Sequence, residues 1–115
     1  MRTAPPRRKP LAAMAAAALA YCACAAAAGD EFTIVIRDGR FEPAELRVPA
    51  GQKLKLVVDN RSASAEEFES YDLDREKIVP GNSRATIFVG PLKPGRYEFI
   101  DELNRRTPPG ALIAE

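Results

Sequence analysis

After residue 30 the sequence is divided into short runs of apolar or aromatic residues, and a glycine, proline, asparagine or aspartate follows each run but the last. Within several runs apolar and polar side chains alternate, as they do at Lys55 between Leu54 and Leu56. Alternation with a period of two is typical of β-strands that bury one face. Eight runs are present, at 32–36, 46–48, 54–58, 67–71, 77–79, 85–89, 97–100 and 111–114. We therefore predict an all-β sandwich of about eight strands.

The predicted strands provide one thin hydrophobic core, because the segment is short and buries a limited fraction of its surface. No sustained apolar pattern at helical spacing follows residue 30, and we predict a loop for the polar stretch 72–77. The residues expected in the core are Ile34, Ile36, Leu46, Val48, Leu56, Val58, Phe68, Ile87, Val89, Tyr97, Phe99 and Ile113.

The first 29 residues have the three-part arrangement of a secretory signal peptide. Arg7, Arg8 and Lys9 precede an alanine-dominated stretch at 11–28, which ends in small residues. Alanine favours membrane insertion much less than leucine, so we predict a removed signal peptide and not a transmembrane anchor. The protein is then expected in the bacterial periplasm, with 30–115 as its single domain.

Two variants of this export route are open. The Arg7–Arg8 pair resembles a twin-arginine leader, but Pro10 stands where that motif prefers an aromatic residue, so the general secretory route is favoured. Lipid attachment at Cys22 or Cys24 is disfavoured, because neither has both a small residue before it and a leucine-like residue three places earlier. The cleavage position stays open within 26–30.

The predicted domain at 30–115 contains no cysteine, histidine or methionine, since the chain has no histidine and its cysteines and methionines all lie in the leader. This composition excludes disulfides, thiolate or imidazole catalysis, and zinc bound by cysteine or histidine. All sixteen acidic residues follow residue 29, so the domain is mildly acidic and has no basic stripe for nucleic acid. Without a base and nucleophile constellation, the protein is predicted not to be an enzyme.

The order of turn and strand motifs resembles the cupredoxin family. The matching motifs are Phe-Glu-Pro at 41–43, Leu-Arg-Val-Pro-Ala-Gly at 46–51, Val-Val-Asp-Asn at 57–60, Pro-Leu-Lys-Pro-Gly-Arg-Tyr-Glu-Phe at 91–99 and Gly-Ala-Leu-Ile at 110–113. The resemblance covers essentially all of 30–115 and implies an all-β, Greek-key β-sandwich of the cupredoxin type.

The same resemblance points to four places where a blue-copper member of that family has its copper ligands. A histidine would precede the strand of Phe68, a cysteine would follow the Tyr-x-Phe motif by two residues, a second histidine would come soon after, and a methionine would precede the last strand. Here these places hold Glu66 or Glu67, Asp101, Asn104 or Arg105, and Pro108. Type 1 copper needs thiolate and imidazole donors, so an oxygen-ligand site or no site is expected.

Five carboxylates form what we call the acidic pole, because the resemblance brings their two segments to one end of the domain. Carboxylates suit hard cations such as iron, manganese or calcium better than Cu(I), so iron is favoured over copper. The predicted metal ligands are Glu66, Glu67, Glu69, Asp101 and Glu102. Alternation sends Glu67 and Glu69 to one face of their strand and Glu66 to the other, so the five cannot all converge. In the competing interpretation they are solvated or pair with Arg75, Lys77, Arg105 and Arg106.

Three stretches look like the small periplasmic cupredoxin-like components of ferrous-iron uptake systems, which are related to the N-terminal domain of EfeO-type proteins. These stretches are 66–70, 76–81 and 97–104, and Asn104 stands where a histidine is expected. The resemblance implies binding or handing over of iron, with a periplasmic iron-binding protein and an inner-membrane iron permease as partners. The alternative is a metal-free interaction module that docks on a periplasmic or membrane partner.

Overall fold

The structure is a computed structural model that describes residues 2–6 and 31–115. The described part contains no helix, and therefore none long and apolar enough to cross a membrane. Its strands are β1 Glu31–Arg37, β2 Arg40–Glu42, β3 Glu45–Val48, β4 Leu54–Asn60, β5 Glu66–Ser70, β6 Arg75–Val79, β7 Ser83–Val89, β8 Gly95–Asp101 and β9 Gly110–Ala114. The predicted leader at 1–29 lies outside the described residues, apart from 2–6, which have no regular secondary structure.

The nine strands form two sheets that enclose the core. The four-stranded sheet has the order β2-β1-β4-β7, and the five-stranded sheet has the order β3-β9-β8-β5-β6. β1 is parallel to β4 and β3 is parallel to β9, whereas the other neighbours are antiparallel. This arrangement confirms the predicted all-β sandwich and places β5 beside β8. These two strands carry four residues of the acidic pole, and the fifth, Glu102, directly follows β8.

Each predicted strand corresponds to an observed one, and β2 is the additional strand. It follows a turn at Asp38 and Gly39, which have φ angles of 52° and 69°. Three residues are too few to show alternation, so the pattern did not separate β2 from this turn. The loop predicted at 72–77 is shorter than expected, because β6 begins at Arg75.

The core lies between the sheets and contains three aromatic rings in contact. The ring of Phe99 meets that of Phe41 edge-on at 4.8 Å between centroids, and that of Phe68 at 4.9 Å. Most of the predicted core residues are buried, although Leu46 and Tyr97 lie at the margin. The prediction of Ile113 is wrong, because β9 turns the neighbouring Leu112 inward.

Candidate functional site

Two carboxyl groups, those of Glu66 and Asp101, lie buried against each other at one end of the five-stranded sheet. Glu66 is 5% exposed and Asp101 is 1% exposed. Alternation along β5 turns Glu66, Phe68 and Ser70 inward, while the residues between them face outward. Phe68 pairs with Asp101 across the sheet, which brings the end of β8 beside the start of β5. Two of the five predicted ligands are thus placed together.

One oxygen of each buried carboxyl group is held by donors, and the other faces none. Asp101 Oδ1 accepts hydrogen bonds from the backbone N–H of Glu67 at 3.0 Å and of Leu103 at 3.1 Å. Glu66 Oε1 lies 3.1 Å from the hydroxyl of Ser64 and 3.3 Å from that of Ser62. Glu66 Oε2 and Asp101 Oδ2 are buried and have no donor. Each carboxyl group is therefore oriented by one oxygen, and the two groups can be hydrogen-bonded to each other only when one of them holds a proton.

The two groups share one low-dielectric site, in which Asp101 affects the pKa of Glu66. Burial raises the pKa of Glu66, and the hydrogen bond with Asp101 and its negative charge raise that pKa further, while Ser64 and Ser62 lower it by less. The result is a pKa above the usual range for glutamate. A proton held between the two groups, or a cation bound by both, would give the unpaired oxygens a partner.

The fully buried side chain of Asn60 fixes the loop that leads into Glu66. Its amide nitrogen donates to the carbonyl oxygens of Ser64 at 2.9 Å, Val79 at 3.0 Å and Pro80 at 3.1 Å. Its oxygen accepts from the backbone N–H of Ser62 at 2.9 Å and lies 2.7 Å from that residue's hydroxyl. Asn60 thus positions both serine hydroxyls that contact Glu66 Oε1.

A second carboxyl pair, formed by Glu69 and Glu102, lies on the outer face of the same sheet. The hydrogen bond with Glu102 raises the pKa of Glu69, because a proton on Glu69 is shared with the neighbouring carboxylate. Arg105 donates to Glu102 Oε1 at 2.8 Å and lowers the pKa of Glu102. The negative charges of Glu69 and Glu102 raise the pKa of Tyr71, so its hydroxyl lies close to this pair.

The acidic pole is therefore divided into an inner pair and an outer group. Alternation along β5 separates Glu66 from Glu67 and Glu69, as the sequence predicts. Among residues 2–6 and 31–115, no three or more Asp, Glu, His or Cys side chains are grouped so that they could hold a metal ion together. Arg105 contacts an acidic partner, whereas Arg75 donates to the carbonyl oxygens of Phe88 and Asp74.

Thr107, in the loop after β8, is a buried polar residue that the sequence did not indicate. It is 4% exposed, and its hydroxyl has no hydrogen-bond partner. Two successive backbone hydrogen bonds, from Asn104 N–H to Asp101 C=O and from Thr107 N–H to Asn104 C=O, fold the loop after β8. In the sequence, only the three-residue spacing of 101, 104 and 107 hints at these successive turns. Nothing about a lone threonine in a proline-rich loop predicts that it is buried.

Beside Asn60, the buried carboxylate of Asp59 contacts two guanidinium groups, those of Arg61 at 3.0 Å and Arg84 at 3.3 Å. Burial raises the pKa of Asp59, but these two hydrogen bonds and charges outweigh it, so the pKa lies below the ordinary value. Because the pKa of Asp59 is lower in the folded state, its carboxylate stabilises the fold at pH values above its unfolded-state pKa of about 3.9. This stability is lost as the pH falls through the lower folded-state pKa.

We expect Asp59→Asn to lower the free energy of unfolding by about 1–3 kcal/mol at pH 7, and by progressively less below about pH 4. Urea unfolding of both proteins between pH 2 and pH 8 measures this difference. The control is Glu45→Gln, which breaks an exposed ion pair with Arg96 and should change stability by less than about 1 kcal/mol. A difference for Asp59→Asn that does not depend on pH would contradict the assignment.

Two sequence comparisons place the chain among known proteins. Residues 10–114 match the model of the family described as "Cupredoxin-like domain". Over 83 residues the chain is 41% identical to an uncharacterized protein of Rickettsia prowazekii (strain Madrid E). The alignment covers 72% of this chain and 66% of that protein. The chain thus spans slightly less than two thirds of this relative's length.

Solved structures with a similar fold include several copper proteins. The reduced P94F mutant of amicyanin aligns with a TM-score of 0.61 and 15% identity, covering 74% of this chain and 82% of the amicyanin. A copper binding protein in the apo form aligns with a TM-score of 0.62 and 17% identity, covering 74% of this chain and 86% of that protein. The metal binding domain of the Cu(I) exporting P-type ATPase CopA from Streptococcus pneumoniae D39 aligns with a TM-score of 0.59 and 17% identity. This alignment covers 74% of this chain and 84% of that domain. At these identities the similarity establishes the fold alone.

The residues of this chain do not fit the type 1 copper site that such a fold implies. Residues 31–115 contain no histidine, cysteine or methionine. The buried atoms that lack partners in the described part are carboxyl and hydroxyl oxygens, of Glu66, Asp101, Glu102 and Thr107. Blue-copper geometry depends on thiolate and imidazole ligands, so this part of the chain offers only hard donors.

Proposed function

Because this chain belongs to the Cupredoxin-like domain family, we propose that it is a periplasmic accessory protein of iron uptake, which binds a metal ion at the acidic pole and hands it on. The observation that carries this proposal is the buried pair of Glu66 and Asp101, in which one oxygen of each carboxyl group lacks a donor. Unpaired buried carboxylate oxygens are unfavourable in isolation, and a bound cation relieves that cost.

The donor chemistry favours iron over copper as the cargo. Carboxylate oxygens bind hard cations such as ferrous iron, ferric iron or manganese, whereas Cu(I) prefers the sulfur ligands that 31–115 lack. Proteins of this fold are mostly electron carriers or metal-binding modules. The proposed action is accordingly capture and transfer without turnover.

The proposed location and partners follow from the leader and from the motif resemblance. A secretory signal at 1–29 would deliver 30–115 to the periplasm. The stretches 66–70, 76–81 and 97–104, which resemble components of ferrous-iron uptake systems related to EfeO-type proteins, support a periplasmic iron-binding protein and an inner-membrane iron permease as partners. Co-purification with either partner from a periplasmic or membrane extract tests this part of the proposal.

A second candidate function is a metal-free interaction module that docks through the same pole. Two exposed large hydrophobic side chains favour it, those of Tyr71 at 74% and Leu103 at 55% exposure. Tyr71 lies close to the outer pair, and Leu103 directly follows Glu102 in the chain. In the described residues no three potential ligands of the Asp, Glu, His or Cys type converge, which also favours this candidate. In this case the Glu66–Asp101 pair would hold a proton and have a structural role.

Metal-dependent thermal stability separates the two candidates. The metal-stripped protein would be titrated with Fe(II) under anaerobic conditions, Fe(III)-citrate, Mn(II) and Cu(II), and its unfolding midpoint followed by circular dichroism. A cation at 100 times its dissociation constant that binds only the folded state adds about 2.7 kcal/mol, or about ten degrees for a domain of this size. We expect such a shift with iron, and its reversal by a chelator. No shift with any of these ions would exclude metal capture and favour the docking module.

A further inference from the structure

We propose that the outer face of the four-stranded sheet binds an anionic phospholipid surface, so that the domain lies on a membrane with its five-stranded sheet towards the solvent. We call this surface the basic face. It consists of the outward side chains of β1, β2, β4 and β7, with Lys53 and Arg61 directly beside β4. This inference goes beyond the proposed function, because it does not require a bound metal ion.

The two sheets of the sandwich carry an excess of charge of opposite sign. The strands of the basic face and the residues directly beside them hold six basic residues, Arg37, Arg40, Lys53, Lys55, Arg61 and Arg84, and four acidic residues, Glu31, Asp38, Glu42 and Asp59. The remainder of 31–115 holds eleven acidic and seven basic residues. An anionic surface therefore attracts one side of the domain and repels the other.

Arginine side chains cover the carboxylates at one end of the basic face. Four ion pairs lie there, Arg37–Glu42, Arg40–Glu42, Arg61–Asp59 and Arg84–Asp59. The side chain of Asp59 is 10% exposed, whereas those of Arg61 and Arg84 are 50% and 63% exposed. Among the described residues, Arg61 donates only through Nε and Arg84 only through Nη2. Their other nitrogens are therefore free to donate to phosphate oxygens.

The rest of the basic face suits an extended surface better than a single small anion. One row across three strands contains only short uncharged side chains, those of Thr33, Val57 and Thr86. Beyond this row Lys55 pairs in register with Phe88, and Lys53 Nζ lies 5.2 Å from the centroid of that ring. Phe88 is about half exposed. Basic side chains around an exposed aromatic ring are typical of surfaces that bind at the headgroup region of a bilayer.

The acidic excess of the remaining domain does not prevent this binding, because it lies on the far side of the sandwich. Packed sheets are about 10 Å apart, and the Debye length at physiological ionic strength is about 8 Å. Outward carboxylates of the five-stranded sheet, such as those of Glu67 and Glu69, are therefore largely screened from a membrane on the basic face. Each basic residue close to an anionic membrane raises the affinity about fivefold.

The test measures co-sedimentation of the protein, as isolated from bacterial cells, with vesicles of phosphatidylcholine alone or of phosphatidylcholine and phosphatidylglycerol. We expect binding only when phosphatidylglycerol is present, and weaker binding as the salt concentration rises. Arg40→Gln combined with Arg84→Gln should lower the partition coefficient about tenfold or more. Asp59 keeps Arg61 as a partner in this variant, so the fold should persist, which circular dichroism checks.

The matched control is Arg47→Gln combined with Arg96→Gln, which removes the same charge from the five-stranded sheet. These arginines are also exposed and ion-paired, with Glu115 and Glu45, and their loss should change the partition coefficient by less than about twofold. Any contribution of the residues before 31 is common to all variants. Metal-induced stabilisation should be equal in the two double variants, so this result is separate from that of the proposed function.

Three outcomes would overturn the assignment of the basic face to a membrane. The first is the absence of binding to vesicles with phosphatidylglycerol, and the second is an equal loss of binding in the two double variants. The third is binding to soluble poly-glutamate without binding to vesicles, which would assign the basic face to an acidic protein partner instead.

Discussion

Replacement of Phe99 by alanine is expected to lower the free energy of unfolding by about 3–5 kcal/mol, enough to unfold much of a small domain at 37 °C. Phe99 is almost fully buried and contacts Phe41 from the four-stranded sheet and Phe68 from its own sheet. Gly110 lies so close to its ring that an added Cβ would come within 2.5 Å of Cε1. Truncation would leave a cavity where the two sheets meet, because packed neighbours relax only partly.

Urea unfolding followed by circular dichroism measures this loss, and Phe88→Ala is the matched control. Phe88 lies on β7, is 51% exposed and has Lys53 Nζ 5.2 Å from its ring centroid. Its truncation should cost no more than about 1 kcal/mol. Equal losses for the two variants would contradict the placement of the aromatic contact at the centre of the core.

The fold was predictable to the extent that local pattern determines it. Alternation and turn residues located eight of the strands, and the family comparison confirms the predicted cupredoxin type of sandwich. Prediction failed where a strand is too short, or its flanking sequence too uninformative, to show which residues face inward. β2 has three residues, so the burial of Phe41 was not anticipated, and β9 follows a long loop whose sequence does not determine which of Leu112 and Ile113 faces inward.

The candidate site was predictable only in part, because it depends on register between strands distant in sequence. Alternation alone separated Glu66 from Glu67 and Glu69, and the structure agrees. The contact of Glu66 with Asp101 needed the pairing of β5 with β8, which no local pattern encodes. The burial of Thr107 depends on how an eight-residue loop folds back, and threonine carries no strong preference for such a position.

The second large effect is expected at Asn60, where replacement by alanine should lower the free energy of unfolding by about 2–4 kcal/mol. Three carbonyl oxygens lose a donor and the backbone N–H of Ser62 loses its acceptor, all at the junction of two loops. These loops pack tightly, since a Cβ on Gly81 would lie 2.3 Å from the carbonyl oxygen of Ala63. Water cannot readily replace the lost donor in such a space.

The graded control is Ser62→Ala, which removes one hydroxyl of the same network and should cost about 1 kcal/mol or less. Chemical unfolding of both variants gives the free energies, and amide hydrogen exchange at 61–65 reports whether the loop has loosened. Because Ser62 and Ser64 both contact Glu66 Oε1, loosening of this loop should also weaken the metal binding that we propose for the inner pair. An Asn60→Ala protein with unchanged stability and unchanged exchange would show that the loop is held by other contacts, and Asn60 would then have no positioning role at the site.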